Sequence, residues 1–189
     1  LGCWQLRRAD EKRVLLADFE ERRMLPAVNI AELDDYPNYR PVYAEGEYDA
    51  EKYWLLDNRI SHGRFGYEIM AVFILSDGSE LLVDRGWIAG DASRRTLPEV
   101  SIPKGPVKIS GELYRSEEKN FSLGSEIHTE WPRRQQWLDI DVARQDFENM
   151  LPTSLRLEGG SVGALQTERL IVNVSPAKHT GYAVQWFAM

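Results

Sequence analysis

Apolar and polar positions along the chain follow two periods. Over residues 4–24, Leu15, Leu16 and Phe19 make an apolar stripe, and Asp18 precedes Arg22 by four positions, the favourable order for a helical ion pair. This pattern predicts a helix that Pro26 ends. Beyond it the apolar runs are short and rich in Val, Ile, Leu, Tyr and Trp: YRPVYAEGEY (39–48), YWLLDNRI (53–60), FGYEIMAVFIL (65–75), ELLVDRGWIA (80–89), GPVKISGELY (105–114), RQQWLDID (134–141), LRLE (155–158) and RLIVNV (169–174). Each reads as a strand. SHGRFG joins the second run to the third, and the Asp-Gly of SDGS (76–79) is a hairpin signal between the third and the fourth. Gly63 and Gly66 are placed for a turn that needs positive φ or a close backbone approach, and Trp87 reads as core.

With about eight short strands, a leading helix and a short second helix near DVARQDFENM (141–150), the chain is expected to be an α+β domain. Its sheet is mainly antiparallel, paired in sequence order as the simplest topology, and curled into a barrel or sandwich. The polar, aperiodic stretch RSEEKNFSLGSEIHTEWP (115–132) is a long surface loop. Near the end, Ser175-Pro176 starts a helix, because the Ser hydroxyl caps free N–H groups and Pro is pre-shaped for the first helical position. On that helix His179, Tyr182, Ala183 and Trp186 fall at i, i+3, i+4 and i+7, so one face presents an imidazole with two aromatic rings.

Composition narrows the functional classes. The 189 residues suit one domain, with a core large enough to need no disulfide. A net charge of -7 leaves no general basic face for phosphates, so nucleic acid is not an expected partner. Cys3 is the single cysteine, which rules out an internal disulfide and a Cys-based zinc site. No run reaches the roughly 20 apolar residues of a membrane span, and no signal peptide is visible. The start LGCWQLRR, without an initiator Met, and the apolar finish both read as cuts through a longer protein.

No Gly-rich phosphate loop, G-x-S-x-G, H-E-x-x-H or C-x-x-C-H is present, so a turnover enzyme is not expected. His62, in a turn, and His128, in the polar loop, read as solvated. His179 differs: the positive end of its helix and neighbouring Lys178 both disfavour a charged ring, which keeps the imidazole in its metal-binding form. From the residues alone a second reading stays open, in which Tyr182 and Trp186 form an interfacial aromatic belt with His179 merely beside them.

LGCWQLRRADEK, YRPVYAEGEY, LLDNRISHGRFGYE, LLVDRGWIAGDASRRTLPEV and AKHTGYAVQWFAM, in this order, resemble the Surfeit locus protein 1 family from the first residues to the last, skipping only the loop around 116–133. The resemblance implies an assembly factor for haem-copper cytochrome c oxidase, one domain held on the periplasmic side of the bacterial inner membrane by two flanking helices. Residues 1–24 then leave the first span and 175–189 begin the second. It further implies that haem a is handled for the catalytic subunit of the oxidase. The histidine of the Lys-His-x-Gly-Tyr-Ala motif is the proposed iron ligand, here within Lys178, His179, Gly181, Tyr182 and Ala183. Tyr182 and Trp186 would flank the ring. Haem propionates are commonly paired with Arg or Lys, and the candidates are Lys178 with Arg59 and Arg85, at the ends of LLDNR and LVDRGW. Asp57 with Arg59 and Asp84 with Arg85 also read as strand-end polar groups that lock loops. The competing class is an interaction module that stabilises an oxidase assembly intermediate without touching the cofactor. Arg7, Arg8, Lys12 and Arg13 crowd the outer end of the presumed first span, against the positive-inside rule, so the orientation rests on the resemblance.

Overall fold

The computed structural model describes residues 2–116 and 130–168. The chain divides after Leu25 and after Glu168. Helix α1 (Gly2–Arg23) lies outside the unit Pro26–Glu168. Its exposed face carries the pairs Arg7–Glu11 (3.8 Å, i,i+4) and Asp10–Arg13 (3.7 Å, i,i+3), and Arg22 and Arg23 sit in the last turn, where the helix dipole favours cations. Of its expected stripe, Leu15 and Leu16 keep 51% and 45% of their surface exposed. No described helix is long and apolar enough to cross a membrane.

The unit Pro26–Glu168 holds a seven-stranded sheet. In chain order its elements are β1 (Val28–Asn29), a 3-10 turn (Ile30–Glu32), β2 (Pro41–Ser61), β3 (Arg64–Leu75), β4 (Glu80–Ala89), β5 (Val107–Tyr114), β6 (Arg133–Gln135), α2 (Ile140–Asp146) and β7 (Met150–Leu157). β2–β3, β3–β4, β7–β5 and β5–β2 pair antiparallel; β4–β7, β1–β2 and β6–β2 pair parallel. Hydrogen bonding thus runs from β2 through β3, β4, β7 and β5 and returns to β2.

The long apolar run of β3 is explained by burial on both faces. Toward one face, Ala71, Phe73 and Leu75 join Val42, Ala44, Leu81, Val83, Ile109, Leu113, Leu155 and Leu157. Toward the other, Met70 and Val72 join Trp54, Leu56 and Leu82 under a cover of Ile140, Ala143 and Phe147. Edge-to-face contacts of Trp54 with Trp131 (4.8 Å between ring centres) and with Phe147 (5.8 Å) seat that cover. A third cluster, Leu55, Tyr67, Ile69 and Val100, lies under Phe65, Ile88, Ile102 and Leu165. Each fully buried large side chain stabilises the fold by about 1.5–3 kcal/mol.

Several expectations change. The runs at 39–48 and 53–60 are one strand, β2, whose register with β3 shifts between Tyr48 and Tyr53; there the Asp49 carboxylate accepts from the N–H groups of Glu51 (3.0 Å) and Lys52 (2.9 Å), which turns the backbone without ending the strand. RQQWLDID contributes only its start to a strand, because Asp139 has extended backbone and its side chain accepts from Asp141 N, capping α2 instead. The second helix ends at Asp146 rather than near 150, and LRLE is the end of a longer β7. Pairing is not purely sequential, since β7 inserts parallel to β4. The expected strand at 169–174, the helix beginning at Pro176 and most of the polar loop, including His128, lie outside the described residues.

Turn chemistry follows the sequence closely. His62 (φ 49°) and Gly63 (φ 74°) both take positive φ between β2 and β3, the signature of a primed hairpin turn. At Gly66 a Cβ would lie 2.2 Å from Ile88 O, so close backbone approach requires the glycine. At SDGS, Leu75 N donates to Ser79 O (2.8 Å) and Gly78 takes φ 86°. Ser79 donates to the Asp77 carboxylate from backbone and side chain, which holds that carboxyl below its ordinary pKa.

Candidate functional site

The sequence Asp84-Arg85-Gly86 forms a bulge in β4: Ile69 pairs with Gly86 and Met70 with Asp84, leaving Arg85 as the extra residue. Gly86 takes φ 98°, and a Cβ there would meet Gln166 O at 2.4 Å. Asp84 accepts from Gly86 N (2.9 Å), which locks the bulge. Its effect is to re-aim Arg85 into the protein, where the side chain is 2% exposed.

Arg85 Nε donates to Gly163 O (2.7 Å) and Nη2 to Ser101 O (2.8 Å), while its guanidinium lies 5.4 Å from the ring centre of Tyr48. Nη1 is buried without a hydrogen-bond partner. One cation therefore ties two segments far apart in sequence to the end of β4, a tie reinforced by Leu165 N to Arg85 O (2.7 Å) and Trp87 N to Gln166 O (2.8 Å). The Tyr48 hydroxyl donates to Val162 O (2.8 Å) in the same segment. Burial lowers the Arg85 pKa, with Tyr48 opposing. Burial pushes the Tyr48 phenol up to about 12, against the pull of Arg85, and raises Tyr53 in the same direction.

Asp84 and Arg59 belong to a different place, a cleft of about 270 Å³ whose walls include Leu56, Met70, Leu82, Ile140 and Trp137. Arg59 pairs with Glu68 (Nε to Oε2, 3.3 Å), donates to Gln136 O (3.1 Å) and stacks 5.1 Å from the Trp137 ring centre. Across the cleft Arg156 lies 4.0 Å from Asp84 and 3.2 Å from the Tyr114 ring centre. Arg115 at the rim is held by both oxygens of Asp141 (3.1 and 3.0 Å). The cleft is thus an amphipathic slot whose arginines are met by carboxylates.

Sequence and structure compare residue by residue. Arg59 and Arg85 are not brought together: Arg59 lines the cleft with Asp84, while Arg85 points away from it into the core. Arg59 pairs with Glu68 rather than Asp57, which instead meets Arg134 at 2.9 Å. Trp87 is half-buried, its indole N–H donating to Arg59 O (3.0 Å). His62 is exposed, with Nδ1 3.1 Å from Ser61 Oγ. His179, Lys178, Tyr182 and Trp186 lie outside the described residues. Among the described residues no group of three His, Cys, Asp or Glu is placed to hold a metal ion. The cleft lies just below the ~300–1,000 Å³ of sites that enclose a small-molecule ligand, and Arg59 is one of its lining residues.

A family model described as the SURF1 family matches residues 1–189, the whole chain. The chain belongs to the SURF1 family. A "SURF1-like protein" of Rickettsia felis is 26% identical to it over 198 residues, covering 100% of this chain and 85% of the relative. Another of Rickettsia bellii is 33% identical over 145 residues, 75% of this chain and 57% of the relative. A third of Dictyostelium discoideum is 24% identical over 234 residues, 100% and 86% respectively.

In this SURF1-family chain the arrangement that sequence reasoning misses is the Tyr48–Arg85–Ser101–Val162/Gly163 tie, because its members lie in four separate stretches. One signal was present: a glycine directly after a strand-end Asp-Arg pair marks a bulge in an otherwise continuous strand. The Asp91 turn was equally unmarked. Its carboxylate takes hydrogen bonds from Ser93, Arg95 N (3.3 Å) and Thr96 (3.4 Å), which lower its pKa.

Proposed function

We propose that the chain is the extramembrane part of an assembly factor for haem-copper cytochrome c oxidase, which hands haem a to the catalytic subunit or steadies that subunit while haem enters. The observation that carries this is the family match, which spans all 189 residues and so includes Lys178, His179, Gly181, Tyr182 and Ala183. On this reading two membrane helices flank the domain, which faces the periplasm, and the protein is not a turnover enzyme. His179 is the iron ligand, with Lys178 available to a propionate and Tyr182 and Trp186 beside the macrocycle. Bound haem a would supply an iron centre open to axial ligation and two carboxylates. Of the two strand-end arginines, the cleft-lining Arg59 suits a propionate. Arg85, committed to two carbonyls, suits a structural role. The strand pairing that returns to β2 supports reading the sheet as the small barrel expected from the sequence.

Absorbance titration with haem a tests the ligand, using the protein with both membrane helices restored and its His179→Ala variant. Weaker affinity and a shifted Soret band in the variant are expected. Unchanged affinity and spectrum would remove His179 from the proposal. If the variant also supports full haem a content in the oxidase while crosslinking to its catalytic subunit, the interaction module without cofactor is the better reading.

A further inference from the structure

One corner of the acidic chain is basic. The β2–β3 turn exposes Arg64 beside Ile60, which is 66% exposed. The loop after β4 exposes Arg94, Arg95 and Leu97, the last 46% exposed. The two are one surface: Gly90 N donates to Phe65 O (3.0 Å), and the Arg94 guanidinium stacks 4.1 Å from the Phe65 ring centre. From 58 to 66 and from 89 to 97 the only carboxylate is Asp91, and it is turned onto its own loop by Ser93, Arg95 N and Thr96. No carboxylate among the described residues pairs with Arg64, Arg94 or Arg95. Three guanidinium groups with no carboxylate partner among the described residues, on a chain of net charge -7, make a local cationic face rather than the outcome of general basicity.

The same corner is where the unit Pro26–Glu168 ends. Gln166 pairs with Trp87, and its side-chain amide donates to Ser61 Oγ (3.0 Å) beside the turn. Eight residues lie between Gln166 and Ser175 in the sequence, at most about 30 Å of extended chain. We infer that Arg64, Arg94 and Arg95, with the exposed Ile60 and Leu97, rest on anionic phospholipid headgroups. Guanidinium groups match headgroup phosphates, and single apolar side chains at turn tips suit shallow insertion, whereas a protein partner needs a contiguous apolar centre. The inference rests on the reading of 175–189 as a membrane entry only for the direction in which the chain continues.

The test places an environment-sensitive fluorophore at Ile60→Cys in the 189-residue chain carrying Cys3→Ser. The labelled chain is mixed with phosphatidylcholine vesicles prepared with and without phosphatidylglycerol. A blue shift only on the anionic vesicles is expected, reversed by salt and weakened about tenfold or more in apparent affinity by Arg64→Gln with Arg94→Gln and Arg95→Gln. Sedimentation with both vesicle types while the probe stays aqueous would overturn the inference and leave the membrane entry standing. Failure of the labelled chain to bind either vesicle type would overturn the inference and leave the membrane entry, which belongs to the flanking helices, standing. A probe silent on vesicles that crosslinks to an acidic protein segment would assign the face to a protein instead.

Discussion

At the residue scale, Arg85 and Tyr48 decide how the end of β4 is held. Two carbonyls depend on Arg85, and an acceptor left unpaired in the core costs more than the net gain of an ordinary hydrogen bond. Arg85→Met should therefore lower stability by on the order of 3 kcal/mol in urea denaturation. Arg85→Lys should recover little, because one ammonium cannot meet Gly163 O and Ser101 O in the guanidinium's planar geometry. Tyr48 sets an alkaline limit. Its folded pKa of about 12 exceeds the ordinary 10.0, so the folded state holds its proton after the unfolded chain has lost it. The stabilisation is complete below pH 10 and disappears as pH rises toward 12, a loss of about 2–3 kcal/mol. Denaturation midpoints measured from pH 9 to 12 should fall over that window, and Tyr48→Phe should flatten the fall.

At the element scale, the glycines after β3 and within β4 share a positive φ but not a surrounding. A Cβ at Gly78 meets nothing within 4 Å, whereas at Gly86 it strikes the Gln166 carbonyl. Gly78→Ala should cost about 1 kcal/mol, the strain of the backbone alone, and Gly86→Ala about 2 kcal/mol or more, with thermal melting of the two variants separating them. This contrast marks what was legible. Turns written by adjacent residues, such as SDGS and SHGRFG, could be read directly, as could strands buried on both faces. Asp139 misled because its role as a cap depends on where α2 starts, while its neighbours carry strand-like apolar residues. The break expected between 48 and 53 proved to be a register shift, since Asp49 hydrogen-bonds locally while pairing resumes at Tyr53.

At the scale of the whole molecule, the family was legible because strings resembling it occur in order from one end of the chain to the other. The site was legible only in part. Arg59 and Arg85 look alike in sequence, each ending an apolar run shortly after an aspartate, yet β2 takes up its extra residue before Arg59 and β4 takes it up at Arg85, and one arginine lines a cleft while the other enters the core. Pairing partners far apart in sequence likewise left no local trace, and the most consequential is β7, which fits between β4 and β5. The order of synthesis gives that insertion a further meaning. Until residues 150–157 have emerged, β4 lacks its parallel neighbour and β5 one of its two antiparallel ones, so a nascent chain carries an open sheet edge up to that point. Ten residues then separate Leu157 from Glu168, where the unit ends, which leaves completion of the sheet as a late event in the synthesis of that unit.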